Sequence, residues 1–154
     1  MAGDFDGDGR SDVAVFRPSN STWYILKTGV GFFVQTWGQT GDVQVPADYD
    51  GDDITDAAVF RPSTGVWHIK ESTTSNIVSI TWGQTDDIPT VGDFDGDGRS
   101  DLAVWRPSNN NWYLNRTTAG TYTTTWGVTA TDIAVPADYD GDGKTDIAVF
   151  RRTT

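Results

Sequence analysis

Aspartate at every second position of a short, glycine-punctuated loop is the feature of this sequence that carries chemistry. Asp4-Phe5-Asp6-Gly7-Asp8-Gly9-Arg10-Ser11-Asp12 places carboxylates at loop positions 1, 3, 5 and 9. The loop returns as Asp48 to Asp56, Asp93 to Asp101 and Asp138 to Asp146, at offsets of 44, 45 and 45 residues. These four copies hold 16 of the 22 acidic residues, and Asp53 inside the second makes 17. Carboxylates spaced in this way converge on one point, and the partner they call for is a hard cation. Calcium takes six to eight oxygens at about 2.3–2.6 Å. Without a counter-ion the four charges repel, so metal binding and local order are expected to be coupled.

The elements that position the loops repeat with them. After the first three loops come Val13-Ala14-Val15-Phe16-Arg17-Pro18-Ser19, Ala57-Ala58-Val59-Phe60-Arg61-Pro62-Ser63 and Leu102-Ala103-Val104-Trp105-Arg106-Pro107-Ser108. Trp23-Tyr24-Ile25, Trp67-His68-Ile69 and Trp112-Tyr113-Leu114 follow, then Thr36-Trp37-Gly38, Thr81-Trp82-Gly83 and Thr125-Trp126-Gly127. The fourth copy reads Ile147-Ala148-Val149-Phe150-Arg151-Arg152 and stops short of the later segments. Short runs of β-branched and aromatic residues between Gly, Asn, Ser and Pro predict strands, and no stretch holds a helical period. A lead-in strand such as Val45-Pro46-Ala47 brings each repeat to four. Apolar residues on both faces of the strand after the loop, Val13 and Val15 against Ala14 and Phe16, predict cover on both sides. The predicted class is therefore all-β: four-stranded antiparallel blades of a β-propeller, about 45 residues each, three full and one half. Residues 1–154 read as one repeat domain, with repeats 4–47, 48–92 and 93–137 and a partial repeat 138–154.

Composition narrows the function. A net charge of −11 over 154 residues disfavours nucleic acid and anionic membranes, since both repel it. No apolar run approaches the ~18 residues needed to span a bilayer, which argues against membrane insertion, and the N-terminal residues do not resemble a signal peptide. The absence of Cys removes disulfides, thiolate catalysis and zinc fingers. Seven Trp and 36% hydrophobic residues are too much apolar surface for a disordered acidic tail.

The Asp-x-Asp-Gly-Asp-Gly-x-x-Asp loop, the Ala-Val-Phe-Arg-Pro-Ser run and the Trp-Tyr-Ile strand together resemble the FG-GAP/VCBS repeat family over nearly the whole chain. That resemblance implies propeller blades of the integrin-α type and one calcium per loop, about four per chain. It also implies an extracellular or cell-surface setting with scaffold, adhesion or carbohydrate-binding roles. On calcium chemistry the expected ligands in the first loop are Asp4, Asp6, Asp8 and Asp12, with the carbonyl of Arg10. The corresponding sets are Asp48, Asp50, Asp52, Ile54 and Asp56; Asp93, Asp95, Asp97, Arg99 and Asp101; and Asp138, Asp140, Asp142, Lys144 and Asp146. Position 12, a bidentate Glu in the helix-loop-helix calcium motif, is Val15, Val59, Val104 or Val149, so the loop is of another kind. Asp53 replaces the Gly9, Gly98 and Gly143 of the other loops where a sharp turn is needed, so the second site is expected to be the weakest. Four Ca²⁺ would bring the net charge to about −3, ordinary for a soluble domain.

The Trp residues recur in register, which points to blade packing, although an indole face also stacks on a sugar ring. Arg17, Arg61 and Arg106 recur beside Pro, where they would neutralise acidic loops, pair with carbonyls or bind a substrate. His68, the only His, stands in the slot of Tyr24 and Tyr113 and reads as a strand residue. The function expected is a non-enzymatic, calcium-stabilised propeller module serving as scaffold, adhesin or assembly unit. The alternative is a lectin-like, carbohydrate-binding propeller. A carboxylate-pair glycosidase would need aspartates that the loops already use. The partners expected are further copies of the chain, completing a propeller or an open array, with a glycan or protein ligand beside them.

Overall fold

Runs of Val, Ile, Thr and aromatic residues favour extended chain, and the Gly- and Asn-bearing segments between them reverse it. The computed structural model describes residues 1–128 and 131–152, and all the regular elements among them are strands. In chain order these are β1 (Ala2–Gly3), β2 (Asp12–Arg17), β3 (Thr22–Lys27), β4 (Gly31–Thr36), β5 (Val43–Gln44), β6 (Ala57–Arg61) and β7 (Val66–Lys70). They continue as β8 (Ile77–Thr81), β9 (Ile88–Gly92), β10 (Asp101–Arg106), β11 (Asn111–Arg116), β12 (Gly120–Thr125), β13 (Ile133–Ala134) and β14 (Val149–Phe150). Strands β1–β4, β5–β8 and β9–β12 form three antiparallel meanders in sequential order, and β13 pairs with β14. Three four-stranded sheets and a half are thus present, as the repeats predict. None of the sheets closes on itself.

Each acidic loop joins the first strand of a sheet to the second. Strands β5, β9 and β13 hydrogen-bond to the strand after the loop that follows them, so each sheet begins a few residues before the first Asp of its repeat. The lead-in strand also reaches the loop itself, through the bridges Ala47 to Asp56 and Ala137 to Asp146. Two compact units result: Met1–Thr81, with the first two sheets, and Trp82–Thr154, with the third sheet and the hairpin.

Register divides each sheet into two faces. In the first sheet Val13, Leu26 and Phe32 align across β2, β3 and β4, as do Val15, Tyr24 and Val34; Ala14, Ile25 and Phe33 belong to the opposite face. Within the first unit, Phe5, Ala14, Trp23 and Ile25 of that opposite face pack on Val59 of β6. Within the second, Phe94, Ala103, Trp105, Trp112 and Leu114 pack on Ala134, Ile147 and Val149 of the hairpin. Trp23, Trp67 and Trp112 are fully buried, and the Nε1 groups of Trp23 and Trp112 donate to the carbonyls of Trp37 and Trp126 at 3.2 and 3.1 Å. This set of tryptophans serves packing. Strands β6 and β10 are buried on both faces as predicted, but β2 is not: Val13 and Val15 are exposed while Ala14 between them is buried. In the first unit the partner that covers Val59 is the first sheet, and nothing in that unit covers the equivalent face of the first sheet itself.

The recurring arginines neither neutralise the loops nor bind carbonyls. Arg61, Arg106 and Arg151 form two-pronged ion pairs with Asp42, Asp87 and Asp132 at 2.7–3.0 Å. Those aspartates are buried, and their second oxygens also accept the backbone N–H of Gln39, Gln84 and Val128, closing the turn before each lead-in strand. Arg17 instead lies over Tyr24, donating to its hydroxyl at 2.9 Å. His68 stands in the strand slot of the tyrosines, its Nδ1 3.0 Å from Ser79 Oγ; burial, then the Arg61 charge, lowers its pKa. Arg106→Ala would strand the Asp87 carboxylate, whose side chain is wholly inaccessible, and is expected to cost about 2–4 kcal/mol. Denaturant unfolding checks this, and a loss below ~1 kcal/mol would show that the pair contributes little.

Candidate metal centre

The loops are held by their own carboxylates. The position-1 side chain arches over its loop: Asp4 Oδ1 accepts Gly7 N at 2.7 Å and Oδ2 accepts Gly9 N at 2.7 Å. Asp48, Asp93 and Asp138 repeat both bonds at 2.6–3.0 Å. The turn requires left-handed backbone at positions 4 and 6, where the glycines have φ of 78–85°. Asp53 adopts φ 64° in the same place and still donates to Asp48 Oδ2, so the second loop keeps the shape of the others at some backbone cost.

Position 9 ties the loop to the rest of its sheet. Asp12, Asp56 and Asp101 are buried, with one oxygen accepting the N–H of Phe5, Tyr49 or Phe94 at 2.8–2.9 Å. The other accepts the N–H of Thr28, Ser72 or Thr117, at the turn between the third and fourth strands, at 2.7 Å in each case. Among the described residues Asp146 makes only the first kind of bond, from Tyr139 N at 3.0 Å. These turn residues were not singled out from the sequence, although each stands 16 residues after its aspartate.

Position 5 faces the same turn through hydroxyls. Asp8 Oδ2 accepts Thr28 Oγ1 at 2.9 Å, Asp52 accepts Ser72 and Thr73, and Asp97 accepts Thr117 and Thr118. Its other oxygen accepts the N–H of position 7, from Arg10, Ile54, Arg99 and Lys144 at 2.8–2.9 Å. Position 7 therefore contributes backbone to its own loop. The side chains of Ile54 and Lys144 lie instead against Gly7 and Gly96 of the preceding loops.

Position 3 is where an oxygen is left without a partner. One carboxylate oxygen of Asp6, Asp50 and Asp95 is buried and accepts no hydrogen bond, at the same place in three loops. Carboxylate oxygens of positions 1, 3 and 9 converge within 4.8 Å of one another in the second, third and fourth loops, as Asp48, Asp50 and Asp56; Asp93, Asp95 and Asp101; and Asp138, Asp140 and Asp146. In the first loop the converging set is Asp4, Asp6 and Asp8. Asp12, Asp52, Asp97 and Asp142 stand outside these sets. A hard oxygen-liganded cation suits such groups, and no His or Cys takes part.

The electrostatics carry the same tension. Burial pushes Asp56 up to about 6 against the N–H bonds that oppose it, and raises Asp101 as well. Asp50 and Asp6 are raised by burial and then by neighbouring carboxylates. Asp4 moves the other way, because the N–H groups of the loop together outweigh its desolvation. Asp97 is held low by the hydroxyls of Thr117 and Thr118.

Open four-stranded meanders in series, each with an acidic loop between its first two strands, define a propeller-type repeat protein with metal-capable loops. Residues 1–32 match the FG-GAP repeat and residues 93–149 the FG-GAP-like repeat, together more than half of the sequence. The chain belongs to the FG-GAP repeat family, whose repeats are propeller blades. No curated protein and no solved structure matches it.

Proposed function

We propose that the chain is a non-enzymatic, calcium-stabilised propeller module that serves outside the cell as a scaffold, adhesion or assembly unit. The buried, partnerless oxygens of Asp6, Asp50 and Asp95 carry this reading, since an anionic oxygen withdrawn from water without a donor calls for a cation. Calcium fits better than magnesium, because the groups are wholly carboxylate and the loops offer further backbone oxygens in irregular positions. The extracellular setting rests on the family; among the described residues no helix is long and apolar enough to cross a membrane.

Calorimetry on a calcium-stripped sample tests it. Uptake of about four Ca²⁺ is expected, and no heat at millimolar calcium would overturn the reading. The pH dependence sharpens the test. Asp56 has its folded value raised above the ordinary 3.8 to about 6, so its ionisation penalises the metal-free fold above pH 6, and acidification relieves that penalty. Calcium needs the ionised form, so affinity at the second loop is expected to fall about tenfold from pH 7 to pH 5. Calcium affinity independent of pH over that range would remove Asp56 from the ligand set.

A lectin-like reading is supported by one observation. Trp37, Arg61 and His68, with Thr36 and Gly38, line a cleft of about 280 Å³ in the first unit, where a sugar ring would stack on the indole. A glycan array separates the two readings, binding above background favouring the second.

A further inference from the structure

Each unit contains one joint between a sheet and the sheet or hairpin that follows, and the two joints share four contacts. The loop carbonyl at position 1 accepts the backbone N–H at position 8 of the next loop, Thr55 to Asp4 and Thr145 to Asp93, both at 2.6 Å. The position-4 glycine seats the position-7 side chain of the next loop, Ile54 on Gly7 and Lys144 on Gly96. The face bearing Ala14 or Ala103 packs on the face bearing Val59 or Val149 of the element that follows. Close approach of strand to loop completes the fit: a Cβ on Gly3 or Gly92 would come within 2.6 Å of Thr55 or Thr145 Oγ1.

The two halves of such a joint are both open on this chain. The first sheet presents the receiving face, with Val13 and Val15 62% and 59% exposed. Among the described residues Ser11 N, at position 8 of its loop, donates to no acceptor. The hairpin presents the opposite face, with Tyr139 and Phe150, counterparts of Phe5 and Phe16, 63% and 54% exposed. Nothing approaches the Cβ position of Gly141, and no described residue donates to the carbonyl of Asp138. Donor meets acceptor, Arg10 meets an open glycine and apolar face meets apolar face when two molecules are placed head to tail.

We infer that the hairpin face of one copy docks on the β2 face of the first sheet of a second copy, pairing Ser11 N with Asp138 O and packing Val13 and Val15 on Ala148, Phe150 and Tyr139. The contact is heterologous, so it propagates into a ring or a filament. It rests on the assembly reading above, but its test measures mass and not calcium. Leu26, Phe32 and Val34 on β3 and β4 have no counterpart in a two-stranded hairpin and lie outside the contact.

Val15→Lys and Phe150→Asp each block one half of the joint and, both residues being exposed in the single chain, leave the melt of the monomer unchanged. Light scattering at tens of micromolar in calcium buffer is expected to show association for the unmodified chain and monomer for each variant. An equimolar mixture of the two variants restores one joint and gives the mass of a dimer. Val13→Lys replaces Val15→Lys should the latter melt early. A monomeric unmodified chain overturns the proposal. So does a Phe150→Asp variant that still associates while Phe32→Ser does not, because that pattern means pairing of two first-sheet faces. Loss of calcium dependence with the mixing result intact would sink the metal reading and leave this one standing.

Discussion

Asp101→Ala is expected to cost about 2–4 kcal/mol both in calcium and in chelator, while Asp95→Ala costs stability in calcium alone. The two aspartates belong to the same converging group, yet their bonds differ. Asp101 is buried and accepts Phe94 N at 2.8 Å and Thr117 N at 2.7 Å, so truncation strands two backbone donors and releases the turn between β11 and β12 from the loop. Unmet buried donors cost about 1–3 kcal/mol each, with part returned because burial of the carboxylate is itself unfavourable. Asp95 has one oxygen on the N–H groups of Thr118 and Ala119, at the exposed turn, and the other buried and unpartnered. Without metal the repulsion from neighbouring carboxylates offsets those two exposed bonds, and removing the side chain should move stability by less than about 0.5 kcal/mol. Denaturant unfolding of both variants in calcium and in EDTA checks this. Equal losses for Asp95→Ala in both buffers would exclude a ligand role, and an Asp101→Ala loss that vanished in EDTA would exclude a structural one.

That division of labour was invisible in the sequence, where positions 1, 3, 5 and 9 are all aspartate. Spacing shows that carboxylates converge, but not which oxygen the backbone has already taken. The strands were legible because each segment appears three times with the same apolar pattern, and a chance run does not survive that repetition. The open face of β2 was hidden for the same reason, since Val13 and Val15 match the buried Ala57 and Val59 in type and only the neighbouring sheet distinguishes them. The arginine pairs had a signal that the loops obscured. Asp42, Asp87 and Asp132 each precede Arg61, Arg106 and Arg151 by 19 residues, one period apart, and lie outside the dense acidic loops. A lone acid recurring in register with a lone base identifies a buried pair.

Removing calcium is expected to lower the melting midpoint by roughly 20–40 °C, in a transition that engages both loops of a unit together. The size follows from linkage: a site at a hundredfold excess over its dissociation constant contributes about 2.7 kcal/mol, each unit holds two loops, and a kcal/mol moves the midpoint of a unit of this size by about 4–8 °C. The coupling follows from the joints. Asp4 O and Asp93 O accept Thr55 N and Thr145 N from the next loop, immediately beside the position-7 residues Ile54 and Lys144 and the position-9 residues Asp56 and Asp146. A first loop that loses its ion and unwinds pulls that bond away from the second, and the Trp23 and Phe5 cluster behind it loosens from Val59. Tryptophan fluorescence reads the event directly, because Trp23 and Trp112 are buried in the two clusters and transfer to water on melting. Asp6→Ala, which removes a partnerless oxygen from the first loop alone, should then weaken calcium uptake at the second loop as well. A midpoint that stays within ~2 °C between calcium and EDTA would show that hydrogen bonds alone hold the loops. A large shift with Asp6→Ala leaving the second loop untouched would keep the calcium and discard the coupling.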